Sequence, residues 1–156
     1  MTISGGGERA STMLRDLRRA KLKLTPQRLA IVRLFAGDGS HPTAQDLFER
    51  LRPTFPSMSF ATVYNTLDAL ARAGLAGVVR LPGKRGDAAR FDPNTRPHHH
   101  AVCDGCGTVL DITAGTLAPT PAAVRKVRRF APGFSVREVE RIYRGLCPRC
   151  AERPSD

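Results

Sequence analysis

Cys103-x-x-Cys106 and Cys147-x-x-Cys150 use all four cysteines of the chain, and His98-His99-His100 stands just ahead of the first pair. Two such pairs supply four thiolates at the spacing that lets each grip one tetrahedral zinc from a tight turn. The histidines have no place in a site already filled by four sulfurs, so they point to a second metal. One closed site beside one adjustable site is the chemistry of a metal sensor more than of a plain zinc-stapled fold.

The bulk properties agree. A chain of 156 residues makes one domain or two small ones, and a small C-terminal piece gains from a metal staple. There is no apolar run of membrane-spanning length and no signal-like apolar core after Met1, so a cytoplasmic protein without membrane contact is expected. In a reducing cytosol paired cysteines are metal ligands; two disulfides in a secreted protein are the alternative. The net charge of +11 favours a polyanionic partner, with nucleic acid first. That charge is spread over both halves and by itself locates no binding face.

These ligands need elements to hold them. Residues 1–8 read as a disordered start, with Gly5-Gly6-Gly7 unable to bury apolar surface. A first helix is expected from Arg9 to Ala20, with Met13, Leu14 and Leu17 on one side. Thr25-Pro26 reads as the cap and first position of a second helix, whose stripe is Leu29, Ile31, Val32, Leu34 and Phe35. Thr43-Ala44-Gln45-Asp46 reads as a capping box opening a third helix to Leu51. Ser59 caps a fourth, ending at Ala73 before a left-handed Gly74. Val63, Leu67 and Leu70 fall on one face of that helix. Ala61, Thr62, Tyr64, Asn65 and Asp68 fall on the other.

Two extended runs follow, Leu75 to Leu81 and Ala88 to Phe91, joined by a basic tip that carries Lys84 and Arg85. Short helices and a basic-tipped hairpin make a winged helix-turn-helix, in which the last helix enters the major groove and the wing meets phosphates. The fourth helix then offers Ala61, Thr62, Tyr64 and Asn65 to base edges, and Lys84 and Arg85 serve the backbone. An ordinary solvated helix face is the bland alternative, and the wing weighs against it.

Beyond Pro93 the pattern changes. A strand is expected from His98 to Val102, a knuckle at the first cysteine pair, a strand from Thr108 to Ile112, and a helix from Pro121 to Phe130. A last strand, Phe134 to Tyr143, leads to the second pair. The fold class is therefore α+β: an N-terminal winged helix-turn-helix (9–91), a hinge (92–97), and a small α/β dimerisation domain with a structural four-cysteine zinc site (98–151), then a tail (152–156).

In its order of parts, the chain from Leu14 to Cys150 resembles the ferric-uptake-regulator family of bacterial metal-responsive repressors. The matching stretches are Leu24-Thr25-Pro26-Gln27-Arg28, His41-Pro42-Thr43-Ala44-Gln45-Asp46, Ala61-Thr62-Val63-Tyr64, His98-His99-His100 and both cysteine pairs. Each is weak alone; their order and spacing together are specific. Phe55-Pro56-Ser57-Met58-Ser59 and Tyr64-Asn65 look most like the peroxide-responsive branch. The resemblance implies a homodimeric repressor on double-stranded DNA, at an inverted repeat. It implies zinc at Cys103, Cys106, Cys147 and Cys150, and iron(II) or manganese(II) at His41, Asp92, His98, His100 and Asp111, with iron-catalysed histidine oxidation as the response to peroxide.

The residues support that site independently. In a strand His98 and His100 project on one face and His99 on the other. Nitrogens with carboxylates suit iron(II) or manganese(II) better than a thiolate site does. His41 could instead be a solvated loop residue, Asp92 a turn former and Asp111 a surface residue; His99 reads as structural or exposed. Many family members carry a further histidine before the last cysteine pair. Here Val136-Arg137-Glu138-Val139-Glu140 has none, so two metals per subunit are expected.

Other functions fit less well. Zinc deaminases pair His-x-Glu with Pro-Cys-x-x-Cys. In this chain the proline lies inside the pair and no glutamate follows either histidine at that spacing, so the protein is not expected to be an enzyme. An RNA-associated zinc ribbon fits the charge and the cysteines but leaves the fourth helix, the wing and the histidines unexplained. An iron-, manganese- or zinc-responsive uptake repressor without peroxide sensing is the nearer alternative.

Overall fold

The computed structural model describes residues 6–19, 21–80, 88–113 and 118–152. The chain divides into two compact units, Met1–Thr95 and Arg96–Asp156. Among the described residues, no helix is long and apolar enough to cross a membrane.

The first unit runs α1 (Gly6–Arg19), α2 (Pro26–Ala36), α3 (Ala44–Leu51), α4 (Phe60–Arg72), β1 (Gly77–Val79) and β2 (Arg90–Asp92). Its core is Leu17 of α1, Ile31, Val32 and Phe35 of α2, Leu47 of α3, and Val63, Leu67 and Leu70 of α4, all essentially inaccessible. Local chemistry sets each helix start. Thr25, Thr43 and Ser59 each accept a hydrogen bond from the backbone three residues on, and Thr43 with Asp46 forms the reciprocal capping box. Gly74 takes φ +70° after α4, the left-handed cap that a residue with a Cβ rarely adopts.

Two expectations shift here. The first helix begins at Gly6, three residues before Arg9, because its start packs on the end of α2. The Arg9 guanidinium donates to the Ala36 carbonyl, and a Cβ on Gly6 would lie 3.2 Å from the Gly37 Cα. Asp92 is not in the hinge: it is the last residue of β2, paired with Gly77 across an antiparallel ladder.

The loop between α2 and α3 is pinned at both ends. The Ser40 amide and hydroxyl and the Arg50 guanidinium all donate to the Asp38 carboxylate. Burial alone would raise the Asp38 pKa, but these hydrogen bonds and the Arg50 charge outweigh it and hold the group below its ordinary 3.8. A carboxyl held low in the folded state stabilises fully above its unfolded pKa, and that stability is lost as pH falls through the folded value. Asp38→Asn should therefore lower the urea midpoint of the first unit at pH 7, by a deficit that shrinks as pH falls below 3.8. A deficit that stayed constant as pH fell below 3.8 would remove the charge from this account.

The second unit contains β3 (His99–Cys103), β4 (Val109–Ile112), α5 (Pro121–Phe130), β5 (Ile142–Gly145) and α6 (Pro148–Ala151). Its sheet has the order β4-β3-β5, with β3 antiparallel to β4 and parallel to β5. The expected long strand from Phe134 to Tyr143 is confined to Ile142–Gly145. Residues 134–141 run outside the sheet, mostly exposed, so no buried face there holds an extended ladder. Among the described residues the apolar core of this unit is Val102, Cys103 and Val109, while Leu110, Ile142, Tyr143 and Leu146 are exposed. So thin a core needs support from outside itself.

Candidate metal centres and nucleic-acid interface

β3 and β5 bring the two cysteine pairs together. Their parallel register sets Cys103 opposite Gly145, so Cys103-x-x-Cys106 leaves one strand end beside the start of Cys147-x-x-Cys150 at the other. The Gly107 amide closes the first knuckle on the Cys103 carbonyl at 2.8 Å, and the Cys150 amide closes the second on that of Cys147 at 2.9 Å. All four Sγ atoms lie within 4.8 Å of one another, and Cys106 and Cys147 are 3.8 Å apart. A tetrahedron with zinc–sulfur bonds of about 2.3 Å has edges of about 3.8 Å, so the four thiols fit that ion.

Electrostatics within the cluster also call for a cation. The Cys147 and Cys106 amides donate to the Cys103 sulfur and bring its pKa down to about 6. Hydrogen bonding to the Cys147 thiol, with burial, pushes Cys150 up to about 12. Four neighbouring thiols cannot all ionise without a metal, and metal uptake must expel their remaining protons. Gly105 is required by close approach, since a Cβ there would stand 2.9 Å from both Cβ and Sγ of Cys150.

The histidines and carboxylates fall into two groups. In the first unit His41 Nε2 lies 3.6 Å from Asp92 Oδ2, and both side chains are buried. His41 has φ +54°, a left-handed conformation that costs energy unless its surroundings impose it. They do so here: the Arg90 guanidinium donates to the His41 carbonyl, and the Phe91 amide donates to that of Pro42. The Asn94 amide donates to Asp92 Oδ1. His41 is therefore buried and not a solvated loop residue, and Asp92, which forms the turn to Asn94, is buried with it.

In the second unit the β3–β4 register sets Asp111 opposite His100, and His98 Nε2 lies 3.3 Å from Asp111 Oδ1. The His98 and His100 rings are 4.4 Å apart between centroids. His98 Nδ1 contacts the Arg96 carbonyl at 2.6 Å. A carbonyl only accepts, so Nδ1 carries the proton and Nε2 is the nitrogen able to ligate. His99 is the opposite case: it is buried, and its Nδ1 accepts from the Arg141 amide, which makes it structural. Sequence reasoning passed over Gly105, and it passed over Glu140, whose Oε1 lies 2.9 Å from His100 Nδ1.

On α4, Ala61, Tyr64 and Asn65 face solvent and Thr62 is half-buried. Phe60 lies against Tyr64 at 6.4 Å between ring centroids, and Phe48 meets Phe60 edge-on at 6.0 Å. Tyr64 is thus exposed with one phenylalanine, Phe60, beside it, and Phe60 is itself held by Phe48. Lys84 and Arg85 lie outside the described residues.

Residues 19–132 match the Ferric uptake regulator family. The chain belongs to that family. It is 34% identical to the peroxide-responsive repressor PerR of Staphylococcus epidermidis over 138 residues, 88% of this chain and 87% of that one. A structure of PerR from Streptococcus pyogenes, described as a basis for peroxide sensing, covers 90% of this chain and 92% of its own at 26% identity and a TM-score of 0.50. A zinc uptake regulator complexed with zinc and DNA covers 96% and 97%, at 25% identity and a TM-score of 0.61. This family member is accordingly a metal-responsive, DNA-binding transcriptional repressor with a four-cysteine cluster in its second unit.

Proposed function

We propose that the protein is a cytoplasmic homodimeric repressor that senses peroxide through iron(II)-catalysed oxidation of its own histidines. The observation that carries this reading is the separation of donor types. Thiolates gather in one cluster of the second unit, while imidazoles pair with carboxylates elsewhere, His41 with Asp92 in the first unit and His98 with Asp111 in the second, donor sets that suit iron(II) or manganese(II) better than a thiolate site does. His41 and Asp92 from the first unit would share one ion with His98, His100 and Asp111 from the second, and zinc would fill the cysteine cluster. Binding then biases the two units toward a DNA-competent arrangement, by no more than the ion's differential affinity for the two states. Iron(II) held by these residues would supply the electrons that break the O–O bond of peroxide, one oxygen ending on a carbon of a neighbouring imidazole and the other leaving as water. The protein holds its imidazoles in place beforehand: the His41 backbone is tied to β2, and His98 is fixed in one tautomer by Arg96.

A thin core and exposed Leu110, Tyr143 and Leu146, which line an apolar groove of about 300 Å³, support a second copy as the cover of this sheet. Two copies carry two α4 helices, which supports an inverted-repeat site with Ala61, Thr62, Tyr64 and Asn65 at the bases and Lys84 and Arg85 at phosphates. Tyr64→Ala should cost about 1–3 kcal/mol of discrimination between selected and random DNA while leaving the salt dependence unchanged. A flatter salt dependence with intact discrimination would take Tyr64 off the bases.

The functional test is mass spectrometry of iron-loaded protein after a small dose of peroxide, in parallel with its binding to DNA selected from random sequence. One added oxygen on His41 or His98 with loss of DNA is expected, while manganese-loaded protein stays bound. Unmodified histidines with DNA retained through the treatment would leave an iron- or manganese-responsive uptake repressor in its place.

A further inference from the structure

The stretch before the second cysteine pair, Val136 to Glu140, carries no histidine, yet it reaches His99 and His100 by hydrogen bonds. The His100 amide donates to the Arg141 carbonyl at 3.1 Å, and the Arg141 amide donates to His99 Nδ1 at 3.3 Å. This pair of bonds lashes the approach to β5 onto β3 and brings Glu140 alongside His100, 40 residues earlier in sequence. The Glu140 Oε1 to His100 Nδ1 distance is 2.9 Å, with His100 buried and the glutamate half exposed.

We propose that Glu140 is the positioning residue of the regulatory metal site: its carboxylate holds the proton on His100 Nδ1 and so presents Nε2 to the ion. An ionised carboxylate only accepts, so the contact requires Nδ1–H, and a neutral imidazole protonated there has its lone pair on Nε2. The carboxylate also makes that lone pair a stronger donor, as outer-shell carboxylates do for metal-bound histidines. His98 is oriented by the same logic through the neutral Arg96 carbonyl. At Nδ1 the two imidazoles therefore differ: His100 meets the Glu140 carboxylate, whereas His98 meets the neutral Arg96 carbonyl.

This inference rests on the assignment of His100 as a ligand, and the test separates the two. Nitrogen-15 NMR of the histidines is recorded at pH 8 on metal-free-site protein that retains its zinc, and manganese(II) is titrated into the same samples. Glu140→Ala should shift His100 toward the Nε2–H tautomer and weaken manganese(II) binding by about 10–100-fold. Glu140→Gln keeps an acceptor oxygen without the charge, so it should keep the Nδ1–H tautomer and fall between wild type and alanine in affinity. Because Glu140 is half exposed, neither change removes core packing, and retained zinc with an unchanged far-UV spectrum checks the fold. A wild-type tautomer and wild-type affinity in Glu140→Ala, where His100→Ala abolishes binding, would overturn the positioning role alone. If His100→Ala itself bound manganese(II) like wild type, the metal-site reading would fall with it.

Discussion

Cys103→Ser should cost the protein both its zinc and the folded state of its second unit. Structural thiolate sites contribute binding energy on the order of 10 kcal/mol, which is folding energy when the site does not pre-exist in the unfolded chain. A whole domain is typically stable by about 5–15 kcal/mol, so this is a large share of any domain's margin. It is larger still here, where the described apolar core is Val102, Cys103 and Val109, and α5 and β5 contain no buried residue. Cys103 is also the member that its neighbours most favour as a thiolate, through the Cys147 and Cys106 amides. Serine removes that anion and breaks the junction where β3 meets the Gly145 end of β5. Zinc content by elemental analysis, near-UV dichroism and sedimentation should all change together. A serine variant that kept one zinc per chain and an unchanged sedimentation profile would show that the four sulfurs do not form one structural site.

The second large effect belongs to the first unit. Phe35→Ala should destabilise it by about 3–5 kcal/mol, the range for emptying a fully buried aromatic site. Among the described residues Phe35 is the largest side chain with no accessible surface, and α2 packs against α1, α3 and α4, so no single element can close over the void. Urea denaturation monitored at 222 nm reads the loss as a shift in midpoint at constant slope. DNA affinity should fall with the folded fraction while zinc stays bound to the cysteines. A midpoint unchanged from wild type would mean that the three-helix packing around Phe35 is wrong.

What the sequence by itself determined is whatever depends on neighbours along the chain. Thr25, Thr43 and Ser59 announce their helices because a cap acts on amides three residues away. The stripe of Val63, Leu67 and Leu70 separates the inner face of α4 from the outer face of Ala61, Tyr64 and Asn65, because helical periodicity is local. The Cys-x-x-Cys pairs and the His98/His100 alternation are legible for the same reason, and the structure brings each set together.

Tertiary structure decided what depends on pairing across long separations. No local pattern states that β5 runs parallel to β3, yet that register places Cys147 beside Cys103, 44 residues away, and leaves no room for a side chain on Gly105. Asp92 reads as a hinge residue until the ladder with Gly77 claims it for the wing. His41 reads as a loop residue until Arg90 and Phe91 tie down its left-handed backbone, and its ring is buried. Glu140 sits in a stretch expected to be strand that has no buried face to satisfy, so its position comes from the bonds Arg141 makes to β3. Periodicity reports which face of an element is apolar; it carries no information about which distant element meets that face, and that meeting sets the distances on which metal chemistry depends.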